Sequence, residues 1–400
     1  MANGDDGYVA PNSAFGGHPL SEIEGLPEQA RAALEGHGYV DAEQVIGAAV
    51  LADVRPALEE LTGENVDRLV ELLRSAIGEN ASMMAEAIVP GTFALGVLPP
   101  NEEIEALIAM AATEMPAMTA AALPPSVNHA QRMPPVKQQG GRGTCVAFSM
   151  TAMHEFYRSQ SGAGQDFSEQ FLYHQTKLID GSNGCGTWAV KAAQVLANVG
   201  QAREAIWAYN PNPPCNDNGV QPGNAMADAA NYRLPPVILN PRDVNAMKAA
   251  LASGCVCEFS IPVYNSWYQN AAARQAGRIT MRLPGEINAG GHAMCLIGYQ
   301  DDSAAPGGGF FILRNSWGLG WGAQCPYGAG NGTIPYAYIS SECWEAVTTA
   351  VPGRRVDPVR PVPWWLRWLQ PFGGEAGGPE EGGGRRTIVI DTGGADIIIR

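Results

Sequence analysis

The sequence predicts a mixed α+β protein in which a helical segment precedes a larger part combining helices with apolar strands. Three observations carry this reading. Apolar residues recur at helical spacing between Leu20 and Ile77. A glycine-rich approach, Gly140-Gly-Arg-Gly143, ends at Cys145, where a helix is expected to open. Two apolar runs, one after Gly290-Gly291 and one at Phe310–Leu313, read as buried strands.

Residues 1–19 are rich in Gly, Asn, Asp and Pro and are expected to be a disordered leader. Over 20–78, Leu26, Ala30, Ala33 and Leu34 form one stripe; Leu58, Leu61, Val66, Leu69, Leu72 and Leu73 form another. Gly25-Leu26-Pro27 and Gly36-His37-Gly38 punctuate the helices. This run is similar to helix-hairpin-helix modules, many of which grip a nucleic-acid backbone. Twelve acidic residues against four basic ones over 20–78 argue against phosphate binding and for a small bundle serving folding or protein contact. Residues 79–122 read as a helical connector or pro-region, with a helix starting near Asn101 and acids in its first turn. Leu123-Pro-Pro125 breaks the pattern and opens a domain running to about residue 350. Residues 351–400 form a Pro- and Gly-rich tail with a Trp island (Trp364, Trp365, Trp368) and an Ile-rich end.

Composition bounds the partners. The 400 residues carry 25 basic and 40 acidic side chains, a net charge of −15, which disfavours nucleic acid and anionic membranes. The acidic N-terminus lacks a signal-like apolar core, and no apolar run is long enough to span a bilayer. Eight cysteines are too few for a disulfide scaffold, so most are expected to be reduced in a cytoplasmic setting. The glycine-rich, acidic chain suggests a bacterial protein.

The chemistry concentrates in three windows. Gln139 lies six residues before Cys145. A thiol at a helix N-terminus is expected to have a lowered pKa, and an upstream carboxamide can donate to an oxyanion. His292 follows the Gly290-Gly291 turn and enters an apolar strand. Asn315 ends the next strand, in Asn315-Ser-Trp317-Gly-Leu-Gly-Trp321-Gly322. An asparagine carbonyl there can orient an imidazole, and Trp317 can shield that bond from water. No cofactor or metal ligand set is expected: Cys255 and Cys257 alternate in an apolar stretch and read as strand core. His154 and His174 read as surface or packing residues, and Gly307–Gly309 as a hairpin loop.

In this order, Gln139, Cys145, His292 and the Asn-Ser-Trp-Gly run resemble the papain-like cysteine peptidases over residues 123–350. The resemblance implies a two-lobed fold, with a helical left lobe built on a helix at 145–160 and an antiparallel barrel carrying His292 and Asn315. It implies peptide-bond hydrolysis through a thioester. Cys145 would be the nucleophile, paired with His292 as thiolate and imidazolium. Asn315 would orient the histidine, and Gln139 would line the oxyanion hole. Gly184, Cys185, Thr187, Gly291 and Trp317 match substrate-binding positions.

Several positions depart from the family pattern. Arg142 stands where a disulfide cysteine is usual, with Ser182 at the matching partner position. That joint loss agrees with a reducing compartment. Cys185 with Cys215, or Cys325 with Cys343, remain pairings that spacing alone does not decide. Autoinhibition by the N-terminal region is not evident, since the usual propeptide signature is missing from residues 1–122. The loop Ala323–Ile334 is long enough to overhang the groove. The expected partner is a protein or peptide substrate, with a protein partner recruited through the N-terminal helices or the tail. Two other uses of the same residues are a transpeptidase or ligase, and a non-catalytic binding scaffold.

Overall fold

The computed structural model describes residues 17–86, 93–114, 123–212, 214, 219–350, 388–391 and 396–399. The expected leader (through residue 16), the Trp island and the Gly-rich linker of the tail lie outside these residues.

Five helices form the N-terminal module: α1 (Glu28–Gly36), α2 (Ala42–Ala49), α3 (Arg55–Thr62), α4 (Val66–Ile77) and α5 (Glu79–Ala85). Local chemistry sets their ends. The Asp41 carboxylate accepts from the Gln44 amide to cap α2, and Asn65 caps α4 through the Arg68 amide. Gly63 closes α3 in the left-handed region, at φ 69°, where a Cβ would be strained. The apolar stripes meet in one core that includes Leu34, Val45, Leu58, Leu69 and Leu73. Leu283, more than 200 positions along the chain by its number, is fully buried in the same core.

After the module, residues 93–99 run as an extended strap, and α6 (Glu102–Glu114) follows. Within the stretch read as a helical connector or pro-region (79–122), α5 and α6 are helical; between them Gly96 and the Pro99-Pro100 pair keep the chain extended, and the strap pairs by main-chain bonds with distant elements.

The remaining unit has two layers. On one side lie α7 (Cys145–Ser159), α8 (Glu169–Ile179), α9 (Ala189–Asn198) and the short α10 (Ala225–Ala229). On the other is a 7-stranded antiparallel sheet. Its strands are β1 (Ser126–Asn128), β2 (Pro236–Ile238), β3 (Cys257–Tyr264), β4 (Asn288–Asp301), β5 (Gly309–Arg314), β6 (Asn331–Pro335) and β7 (Glu345–Thr349). The order is β2-β7-β3-β4-β5-β6, with β1 added beside the end of β4. Four helices decorate it: α11 (Val244–Ala252), α12 (Asn265–Tyr268), α13 (Ala271–Ala276) and α14 (Tyr336–Glu342). Strand β3 is buried along its whole length, including its polar positions Glu258 and Ser260, which are joined by the Ser260 hydroxyl donating to the Glu258 carboxyl. Gly307–Gly309 turn β4 into β5 as expected.

The described residues up to 350 form one compact unit, and the boundary drawn at 122/123 does not separate two bodies. In the tail, strands β8 (Ile388–Asp391) and β9 (Asp396–Ile399) pair antiparallel as a separate unit.

Candidate active site

The candidate site lies where the N-terminus of α7 meets the middle of β4. Helix α7 opens at Cys145 because Gly143 and Thr144 turn the chain and the Thr144 carbonyl takes the Phe148 amide as the first helical bond. His292 lies in β4 opposite Ile261 of β3, and its neighbour Ala293 stands beside the Cys145 sulfur. Asn315 directly follows β5, as the strand-end reading expects.

The histidine geometry is fixed from both sides. The Asn315 Oδ1 accepts the Ser316 amide at 2.7 Å and lies 2.8 Å from His292 Nε2. An oxygen already accepting one N–H fixes the orientation of the carboxamide, so Nε2 must donate and Nδ1 keeps its lone pair. Nδ1 is buried and has no hydrogen-bond partner among the described residues. Trp317 stacks on the imidazole at 4.3 Å between centroids and an interplanar angle of 25°. The indole thus lies against the ring that makes the Asn315 bond.

Gln139 is also held rigidly. Its Oε1 accepts the Ser316 hydroxyl at 2.6 Å, which turns Nε2 toward the groove. There Nε2 donates to the Arg142 carbonyl at 2.8 Å and to the Ala94 carbonyl at 2.9 Å. Arg142 itself is buried. Its guanidinium bonds Gln170 and the Asn210 carbonyl and lies over the rings of Tyr173 and Tyr209. A cation held between two phenols thus braces the loop where relatives are expected to use a disulfide.

The strap fills the groove. Phe93 stacks on Trp317 at 5.2 Å, and its carbonyl accepts the Tyr268 hydroxyl at 2.6 Å. Ala94 occupies the Gln139 amide. The main-chain amides of Gly96, Ala293 and Val146 lie close enough to the Cys145 sulfur to favour its thiolate. Gly96 and Val97 donate to the Gly291 carbonyl, and the strap exchanges main-chain bonds with Thr187. Val97 runs antiparallel to Gly291 and parallel to Thr187. Close approach requires the glycines: a Cβ on Gly96 would stand 2.2 Å from the Gly143 oxygen, and one on Gly186 would stand 2.8 Å from Leu98.

Burial beneath the strap sets the ionisation. The Cys145 thiol is pushed up to about 12 by desolvation, which outweighs the amides around it. His292 is pushed down to about 4 by the same cause, with the Asn315 bond opposing. Burial beneath the strap thus works against the lowering that the helix N-terminus supplies to the thiol.

Of the other expected substrate-binding residues, Thr187 and Gly291 grip the strap and Trp317 stacks on it, while Gly184 stands exposed at its loop tip. Cys185 is disulfide-bonded. The six other described cysteines are free, so a Cys325–Cys343 bridge is excluded, and most of the cysteines are reduced while Cys185 is not. The long loop after Trp321 is anchored inward by the buried Cys325 and Tyr327, and Gly330 packs on Val136. The residues missed in the sequence were Ala94, Gly96, Gly186 and Ser316. Only the glycine and proline spacing of the strap offered a signal.

Comparison with known proteins decides the family. The sequence pattern of the papain family cysteine proteases matches residues 123–329. The chain belongs to the papain family. Its structure is similar to xylellain, a cysteine protease from Xylella fastidiosa, with a TM-score of 0.55 and 26% identity over 66% of this chain and 99% of that one. Among sequences, ananain of Ananas comosus is 32% identical over 47% of this chain and 49% of its own length. Pro-cathepsin H of Bos taurus is 26% identical over 50% of this chain and 58% of its own. The chain thus spans about half the length of these two relatives. The papain-like α+β fold has an additional helical region at its N-terminus. Among the described residues no helix is long and apolar enough to cross a membrane.

Proposed function

We propose that this papain-family protein is a cysteine endopeptidase held latent by its own residues 93–99. Cys145 is the nucleophile, His292 the general base and then acid, Asn315 the group that orients the ring, and Gln139 Nε2 with the Cys145 amide the oxyanion donors. The observation that carries the reading is the His292–Asn315 bond beside Trp317, which leaves the buried Nδ1 without a hydrogen-bond partner among the described residues.

In the open enzyme, Nδ1 takes the thiol proton as sulfur attacks the substrate carbonyl. The oxyanion then accepts from Gln139 Nε2, where the Ala94 carbonyl now sits. His292 returns the proton to the departing amine and activates water to resolve the thioester. The strap resists this sequence. It runs from Trp317 to Thr187 and already occupies the Gln139 amide and the main chain at Thr187 and Gly291. The disulfide at Cys185 favours an oxidising setting over the cytoplasm.

The test is labelling by an electrophilic thiol reagent. The intact protein should react slowly at Cys145, protein cut within 87–92 and 115–122 should react fast, and Cys145→Ala should not react there. Equal rates before and after cutting would remove the latent state. No reaction after cutting would leave a non-catalytic scaffold.

A further inference from the structure

The strap is anchored at both ends, and the two anchors differ in kind. On the side of α9, α6 lays Ile104 and Ile108 on Trp188 and Val190. Trp188 Nε1 donates to the Pro99 carbonyl at 3.0 Å. One ion pair, Glu103 to Lys191 at 2.5 Å, joins them, and its carboxylate is 60% exposed, so it contributes little. This anchor is a single helix face.

The other anchor is the module of α1–α5, which is built into the sheet side of the molecule. Leu283 completes the module's core, and Tyr39 is fully buried. Asp41 and Arg278 face one another, both buried and of opposite charge. The Asn270 carboxamide caps α13 with its oxygen and donates to the Gln44 carbonyl of α2 with its nitrogen, at 2.8 Å. The Met281 amide donates to the His37 carbonyl at 2.8 Å, and Asn265 donates to Asp53 at 2.9 Å. The fit is close: a Cβ on Gly47 would lie 2.2 Å from Asn270 Oδ1. Separating these surfaces would expose a buried charge pair, unsatisfied main-chain groups and a core leucine together.

The module also braces the groove. Its α2 packs on α12 and α13. Those helices carry Tyr268 and Arg274, which press on Trp317 at 5.5 and 5.6 Å. Trp317 in turn holds the imidazole.

We propose that the helical module is a permanent, non-covalently held chain of the working enzyme, and that only the strap with α6 is a removable inhibitor. Opening the groove by cuts on both sides of the strap then yields a two-chain peptidase. This inference rests on the latent-state reading only for the strap's role; the module's retention stands on the interface alone.

The experiment uses the full chain with recognition sequences for a specific protease placed within 87–92 and within 115–122. After both cuts, size-exclusion chromatography should show the module co-eluting with the peptidase chain and the strap fragment lost, and denaturant should separate the two retained chains. Gly47→Val should release the module under native conditions. Should that variant fail to fold, Asn270→Ala should lower the denaturant concentration at which the cut chains part. A module that elutes alone from the cut parent overturns the proposal. A retained module with an unreactive Cys145 sinks the peptidase reading instead and leaves this one standing.

Discussion

Glu345 in β7 has a carboxyl buried behind the groove, where it accepts the Ala189 and Val190 amides at the start of α9. Burial pushes its pKa from 4.5 up to about 7, against the pull of those amides. A carboxyl raised on folding contributes stability that is complete below 4.5 and is lost as pH rises through about 7. The melting temperature should therefore fall across that window, and Glu345→Gln should flatten the fall. Parallel profiles for the two proteins would refute the assignment. At the groove, Gln139→Ala in cut enzyme should lose about 2.7–4 kcal/mol of transition-state stabilisation while the melting temperature holds. A kcat near that of the parent would argue that Nε2 serves only to dock Ala94. Gln139, Cys145, His292 and Asn315 were legible in the sequence because each stands at a break in local structure, next to glycine or at a strand end. Their protonation was not legible. It depends on how dry the groove is, and the residues that dry it lie on a separate stretch of chain.

The strap is the element whose role was hidden. An extended segment has no periodicity to betray its burial, and it is ordered by bonds to Thr187, Gly291 and Gln139 far along the chain. Its one local mark is Gly96. Adding a side chain there drives a Cβ to 2.2 Å from the Gly143 oxygen, so Gly96→Val should unseat the strap without a cut. Labelling of Cys145 in the uncut variant should then approach the rate of the cut parent. A rate equal to that of the uncut parent would mean that the strap does not govern access. The helices were more legible than the strap. Asp41 and Asn65 announce the starts of α2 and α4, and the stripe from Val66 to Leu73 marks the buried face of α4. Strand β4 was foreseen through the glycines before His292, although its 14 residues extend further on both sides than the apolar run suggests.

At the scale of the molecule, the module and the sheet share side chains. Leu283→Ala would leave a cavity within the module's core from the sheet side, at a cost of about 2–5 kcal/mol. Denaturation followed separately by a probe in α4 and one in α7 should shift together in this variant. Two transitions, only one of them displaced, would show that the module unfolds independently. Sequence reading placed a boundary at Leu123-Pro-Pro125 because a composition break is a local property, whereas the contacts that cross it are not. The resulting continuity reaches the groove through Trp317, whose ring lies between Phe93 on one face and His292 on the other. Departure of the strap strips the aromatic neighbour from one face and admits water to an indole that is now almost fully covered. Emission from Trp317, one of nine tryptophans, should consequently move to the red if the strap is released by cutting, an optical readout of strap departure that needs neither substrate nor label and is lost in Trp317→Phe.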